Sequence, residues 1–503
     1  MNAKKFILVI VSTAIFPWLF YENYLGVNLF IFNILVLSGL FITKNLNLKN
    51  TLNRTIVSGS FLSSLFVVFN GSDFAITINI LSLFLLGGSS FFPKWRNLIV
   101  VSFQSIISFF NSQLRFFSAL QEMASGKKNL SKVLRILKLI IIPLIVFFLF
   151  IIIYKEANPV FEGYVKTFFD AIESFFDWFF ENIEFALIMT FILGFVFSNF
   201  FFFGSKNSYI TDIDEKSSKS LERKKFKSSR KIKMTGLKTE HKSAIIMFSS
   251  LNILLLVVNI IDISWVWFDF EWNGQYLKQF VHEGTWLLII SIIISLVISI
   301  FYFRGNINFL KNNNLLRKLA YVWLAQNAVL TVSVGIRNFW YIYYFALAYK
   351  RIGVIFFLIL TLYSIYTVYQ KINHKKTTFY LLSSNSLASY IILVVMAFFN
   401  WDSIIAKYNF AHSETAFVHF NFLANLSNNA LPYLDRTPGE LKAIDKVQQN
   451  EFPFRTQYMT SEEYSDKISI KKNSFIQEWP NRNWLEWNLA GERSYRSMKA
   501  KGY

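Results

Sequence analysis

Apolar stretches close to 20 residues long recur along most of this 503-residue chain. That is the length an α-helix needs to cross a hydrocarbon layer about 30 Å thick. In lipid every backbone N–H and C=O must be satisfied within the segment, so such stretches have helix as their default. Eleven qualify, at about 6–21, 26–42, 55–70, 73–92, 134–154, 183–203, 244–263, 284–303, 318–336, 352–371 and 378–399. Phe occurs 58 times and apolar residues make up 54% of the chain, more than a soluble core needs and in keeping with helices packed against lipid. The expected fold class is therefore all-α: a polytopic transmembrane helical bundle of about 11 spans with a small extracytoplasmic helical tail.

Orientation follows from Lys and Arg, which resist translocation. With the N-terminus inside, 32 of the 51 basic residues fall in cytoplasmic stretches, six in outer connections and 13 in the C-terminal 104 residues. Twelve of them lie in 206–242, and the reverse topology would carry that block across the membrane. The N-terminus is thus expected in the cytoplasm and the C-terminus outside. "MNAKKFILVIVSTAIFPWLF" lacks a small-residue cleavage site before Tyr21, so it reads as the first span and not as a signal peptide. One segment, 98–121, is apolar enough to cross, but its Ser, Gln and Arg115 recur along its length; it is expected to lie in the cytoplasmic interface. A net charge of +20 belongs to this topology and to the anionic inner leaflet, with no nucleic-acid partner implied. With no cysteine in the chain, disulfides, thiolate metal sites and a cysteine nucleophile are excluded.

Three regions are expected. Residues 1–133 hold the first membrane helices and the interfacial helix. Residues 134–399 form a membrane core that contains an outer amphipathic helix, 158–182, and a basic, Ser-rich, disordered cytoplasmic loop, 204–243. The outer helix has apolar residues at helical spacing, an acidic back and a start at Asn158–Pro159. Residues 400–503 form a tail in which "SIIAKYNFAHSETAFVHFNFLANLSNNALPYLD" and "NWLEWNLAGERSYRSMKA" each read as an amphipathic helix. The Pro- and Gly-marked stretch 432–439 separates the two, and Trp479, Trp484 and Trp487 serve as interface anchors.

"EANPVF" after a span, "NILLLVVNIIDI", "WLAQNAVLTVSVGIRNFWYIYYFALAYKRIGV", "NWDSIIAKYNFA" and "NNALPYL" occur in that order. Together they resemble the elements of an uncharacterised bacterial multi-pass membrane family, the 4153/4173 group of domains of unknown function, over roughly residues 130 to 435. Asn158 stands where that family has Asp, and Ala346-Leu347-Ala348 where it has Gly-Leu-Thr. The resemblance implies an architecture and a bacterial inner (plasma) membrane location, and no activity.

The same stretch, 334–354, holds Arg337, Lys350 and Arg351 on the side where basic residues are scarcest. If the helix continues past 336, Arg337, Tyr341, Tyr344, Ala348 and Arg351 share one face. Asn252, Asn259 and Asp262 form a polar stripe on the seventh span, and Asp262, like Arg337, closes its helix at the outer end. Glu156, Asn158, His282 and Glu283 also fall at outer ends. An outer-leaflet polar cluster with Asp262–Arg337 as its central ion pair is expected. Two readings of it stand: Tyr and Arg that anchor helices and polar stripes that glue them, or a pocket for an anionic headgroup or small anion. Lys350 lies off the stripe and is expected to be solvated. His412, Glu414 and His419 lack a third nitrogen, so no metal is expected, and neither "LLGGSS" nor "VLSGL" has the Lys of a phosphate loop.

No cofactor or catalytic motif is read from the chain. The first expectation is a non-enzymatic integral membrane protein that binds an anionic ligand, lipid or partner protein of the envelope, with a link to signalling. A secondary transporter using the polar stripes of the seventh and ninth helices is the alternative. A lipid-modifying enzyme, which needs a converged carboxylate or His, comes third.

Overall fold

The computed structural model describes residues 2–123, 140, 143–144, 146–147, 150–151, 154–155, 157–179, 184–223, 230–268, 285–452 and 459–502. The elements in it are helices, with a single isolated antiparallel bridge, Ser220 to Lys376. Among the described residues seven helices are long and apolar enough to cross a membrane, and Val27–Ile42, Asp73–Ser89 and Trp286–Tyr302 are shorter apolar helices. The chain is a multi-pass membrane protein. Ten of the eleven expected segments are accounted for in this way, while the fifth, 134–154, falls mostly outside the described residues. The chain forms two compact units.

One unit comprises Met1–Lys216, Val394–Phe398 and Asn481–Glu492. Its helices are α1 (Asn2–Phe20), α2 (Val27–Ile42), α3 (Thr51–Asn70), α4 (Asp73–Ser89), α5 (Leu98–Met123), α6 (Pro159–Phe179), α7 (Phe185–Phe202) and α8 (Ser208–Lys216). Helices α1 and α7 run antiparallel: Phe6 meets Phe203 at 4.9 Å between ring centres, and the Tyr21 hydroxyl donates to Glu184 at the other end. Gly39 and Gly87 lie under the rings of Phe202 and Phe200, so the small residues of α2 and α4 admit large ones from α7. Buried amides tie the bundle, with Asn33 and Asn79 both donating to the Ser60 carbonyl, at 3.1 and 3.0 Å.

Helix α5 turns its polar side inward. Gln104, Ser105, Ser108, Ser112 and Gln113 are all buried, whereas Phe103 and Ile106 are exposed. Gln113 donates to the Val196 carbonyl (2.9 Å) and accepts from Asn199 (3.0 Å), and Gln104 donates to the Ser205 carbonyl (2.7 Å). The polar face thus turns into the protein and the apolar face outward. The pattern is amphipathic, but inverted relative to a helix that offers its polar side to water or headgroups. Helix α6 starts as expected, its first N–H groups accepted by Asn158 Oδ1 at 3.0 and 3.2 Å.

Residues 481–492 strap the end of this unit opposite Asn2. Val27 N–H donates to the Trp487 carbonyl (3.2 Å), Trp18 and Trp484 are in ring contact, and a Cβ on Gly26 would collide with the Glu486 backbone. Gly71, at φ +54°, turns the chain between α3 and α4 directly against Asn488.

The other unit comprises Ser217–Leu393, Phe399–Pro480 and Arg493–Tyr503. Its long helices are α9 (Arg230–Asp262, continued by a π-helical turn Ile263–Phe268), α10 (Thr285–Tyr302), α11 (Asn314–Phe345), α12 (Tyr349–Asn373) and α13 (Thr378–Ala397). At 33 residues α9 is about 50 Å long, so the second half of the expected disordered loop is helical instead. The first half carries α8 and the Ser220–Lys376 bridge, and 224–229 lie outside the described residues.

Beyond the membrane helices, α14 (Trp401–Ala411), α15 (Phe420–Ala424), α16 (Leu431–Leu434), α17 (Pro438–Glu451), α18 (Ser461–Glu478) and α19 (Leu489–Ala500) follow. Three short helices thus replace the one amphipathic helix expected over 403–435, and α18 was not anticipated. Phe410, Phe420, Leu431, Leu434, Tyr464, Ile468, Phe475 and Met498 are buried together, a larger core than a polar tail suggests. Trp479 is part of it, packed on Phe475, while Trp484 is exposed.

Candidate functional site

The seam between α9 and α11 is built from amides. Asn252 donates to the Leu319 carbonyl (3.0 Å) and accepts from Gln326 (2.8 Å); Asn259 donates to the Gln326 carbonyl (3.1 Å). Farther along, Trp267 Nε1–H donates to Ser333 (3.0 Å) and Trp340 Nε1–H to the Val266 carbonyl (3.1 Å). Partner numbers rise together on both helices, so the two run parallel, as two helices separated by one return span must. Asn252, Asn259 and Asp262 are 8%, 4% and 5% exposed, against 68% for Ile253 and 59% for Ile260. The polar stripe therefore faces the neighbouring helix and leaves the outside of α9 apolar. Near its end Asp262 and Arg337 form an ion pair, with both side chains 6% exposed.

The helix carrying Arg337 does not continue to Arg351. It ends at Phe345, and Ala346 turns the chain at φ +62° and ψ −171°. The expected single face of Arg337, Tyr341, Tyr344, Ala348 and Arg351 is therefore corrected: the first three share α11, Ala348 caps the start of α12, and Arg351 sits in the first turn of α12. Arg351 still returns to the cluster. Its guanidinium donates to the carbonyls of Phe345 and Ala346 and lies 4.1 Å from the Tyr341 ring centre. These carbonyls close α11 and have no intrahelical donor, and a cation there also meets the negative end of the helix dipole. Lys371 repeats the device at the opposite end of the helices, where its ammonium donates to the Phe303 carbonyl (2.6 Å) just past α10. Replacing Arg351 by Met is expected to lower stability by about 1–2 kcal/mol through loss of charge-assisted bonds; thermal unfolding in detergent measures it.

Residues after the last membrane helix grip this corner. Asn409 holds both backbone groups of Leu347, accepting its N–H (2.7 Å) and donating to its carbonyl (3.1 Å). Phe417 N–H donates to the Tyr344 carbonyl (2.9 Å), Tyr349 donates to Asp402, and Phe345 packs with Phe417 and Phe452. Asn409 was missed as a site residue, although it lies in "NWDSIIAKYNFA", one of the stretches that carried the resemblance.

Other candidates separate from this cluster. Asn158 is in the other unit and its side chain caps α6. Glu156, His282 and Glu283 lie outside the described residues. Lys350 is exposed, and His419 caps α15 by accepting from Phe422 N–H (3.1 Å). Chemically, the corner offers a guanidinium answered by a carboxylate and another answered by carbonyls. Such an arrangement holds two parts of a chain in fixed relation.

The family described as a domain of unknown function, DUF4153, matches residues 7–437, and the chain belongs to it. The match reaches well upstream of the 130–435 expected from the quoted stretches and takes in the first membrane helices. No curated protein and no solved structure matches the chain.

Proposed function

We propose that this DUF4153 protein is a non-enzymatic component of the bacterial inner membrane, with a cytoplasmic N-terminus and an extracytoplasmic C-terminal helical region. That region receives an anionic ligand, lipid headgroup or envelope protein and passes the event to the membrane helices through the α11–α12 corner. The observation that carries this reading is the grip of Asn409 on Leu347, four residues from Arg351, whose guanidinium stacks on Tyr341. A ligand that moves α14 moves the corner, and the buried Asp262–Arg337 pair is next along α11. Orientation is supported by the distribution of basic residues and by the strap 481–492, which lies at the end of α1 away from Asn2.

Two measurements test this. Alkaline phosphatase fused after Tyr503 is expected to be active and the same enzyme at residue 217 inactive; the opposite pattern overturns the topology. Amide hydrogen exchange at 338–352 is expected to fall when protein in phosphatidylcholine vesicles is transferred to vesicles containing phosphatidylglycerol or given soluble phosphate compounds. Identical exchange under all three conditions removes the coupling role.

One observation favours transport as a second reading. Asn259 Oδ1, Gln326 Oε1 and Asp262 Oδ2 are buried along the seam without a hydrogen-bond partner among the described residues, and oxygen atoms of this kind suit a monovalent cation or a proton. Proteoliposomes that show no cation or proton flux, or a flux unchanged by Asp262→Asn, dispose of it.

A further inference from the structure

We propose that the C-terminal helical region holds a binding site for a phosphate group, carried by a small soluble molecule or by a lipid headgroup, in the cavity between the turn Leu434–Pro438 and α18. The assignment rests on the reading of this region as the receiving part and supplies its ligand chemistry.

The cavity has a volume of about 310 Å³ and is lined by Arg436, Lys472 and Lys501 with one carboxylate, Asp435. Its size is at the lower end for ligand sites. Lys472 is 6% exposed, so this positive charge is placed deliberately inside a fold and needs an anion. In the structure that anion is Asp435, whose two oxygens take one ammonium each, Lys472 at 3.0 Å and Lys501 at 3.1 Å. Burial alone would raise the Asp435 pKa; the hydrogen bonds from the two lysines outweigh it and hold the carboxyl below its ordinary value. Asp435 thus marks where anionic oxygen belongs, and the third cation of the lining, Arg436, is held only loosely by Glu440, at 3.8 Å.

The remaining donors favour phosphate over a carboxylate. Ser465 and Ser469 stand one helical turn apart on the face of α18 that also carries Lys472. Neither hydroxyl makes a hydrogen bond among the described residues, in a region whose other lining groups are tied: Tyr464 donates to the Leu434 carbonyl (3.0 Å) and Thr437 closes a capping box with Glu440. Arg436 holds the mouth through its stack on Phe410 (5.0 Å). A guanidinium, two ammonium groups and two hydroxyls exceed what two carboxylate oxygens accept, and match the three or four oxygens of a phosphate.

The test uses the full chain. Calorimetric titration in detergent with inorganic phosphate and with glycerol phosphate, and binding to nanodiscs of phosphatidylglycerol against phosphatidylcholine, separate the two sources. Binding of the soluble compounds assigns a free phosphate ligand, and binding confined to phosphatidylglycerol nanodiscs assigns a headgroup. Arg436→Ala and Lys501→Ala are expected to weaken either at least tenfold. Ser465→Ala, which removes no internal bond, is expected to weaken it several-fold without change in the melting temperature. Asp435→Asn is expected to bind more tightly, because it releases two ammonium groups. No binding to any probe, or affinity indifferent to Arg436 and Lys501, overturns the site. Binding without a change in exchange at 338–352 leaves the site standing and sinks the coupling role. Exchange that responds to phosphatidylglycerol without binding in the cavity does the reverse.

Discussion

Replacement of Arg337 by Met is expected to destabilise the protein by about 3–5 kcal/mol. The loss comes less from the ion pair than from what remains. Asp262 would be left charged on a helix whose outer face is Ile260 and Ile261, with its own side chain 6% exposed. A lone carboxylate there is costly in the interior of a membrane bundle. Asp262→Leu is expected to cost a similar amount for the mirror reason. The double variant should be far closer to the parent than the two single losses together, because replacing both charges by apolar groups of like volume is often neutral. Unfolding of the four proteins in mixed micelles by denaturant titration gives the coupling. Single variants within about 1 kcal/mol of the parent would mean that water reaches the pair, as for exposed pairs.

Asn409→Leu is the second large effect. It leaves the N–H and the carbonyl of Leu347, both part-buried, without their side-chain partner, at about 1–3 kcal/mol each when fully buried, so a loss of up to about 6 kcal/mol is expected. The opposite sign is expected one residue away. Ala346 occupies φ +62° with ψ −171°, a region that suits glycine alone and costs other residues about 1–3 kcal/mol. Ala346→Gly should therefore stabilise by about 1 kcal/mol or more. Here the strained alanine is held by Asn409 and by the Arg351 cap. Hydrogen exchange at 346–352 should quicken in Asn409→Leu, and a corner of unchanged protection would refute the grip.

The Asp262–Arg337 pair was legible because two independent patterns converged. One was a polar stripe at helical spacing on one span, and the other a lone cation at the matching end of another span two crossings later. The corner was not legible. A helical pattern of Tyr and Arg runs through 346–348 without a glycine or proline, and no local rule stops it there. The break exists because Asn409 and Phe417, more than 60 residues on, offer the backbone partners it gives up. Which face of helix α5 is buried was not legible for a related reason. Amphipathic spacing tells that a helix has two faces; that the polar face of α5 turns onto the protein while Phe103 and Ile106 point outward was settled by its packing on α7.

What the order of residues determined by itself is the class of molecule. Runs of apolar residues dictate helices, since hydrocarbon offers no alternative partner for the backbone, and the placement of polar residues at three, four and seven dictates which side of each helix must find company. Which company it finds was decided in three dimensions. Arg351 came to rest on the carbonyls of the helix before it, and the polar side of α5 was drawn inward to α7. Lys472 and Lys501 met around one carboxylate from the turn that follows α16. Hydrogen bonds and ion pairs act over a few ångströms, so these choices belong to the packing that brings distant segments within that range.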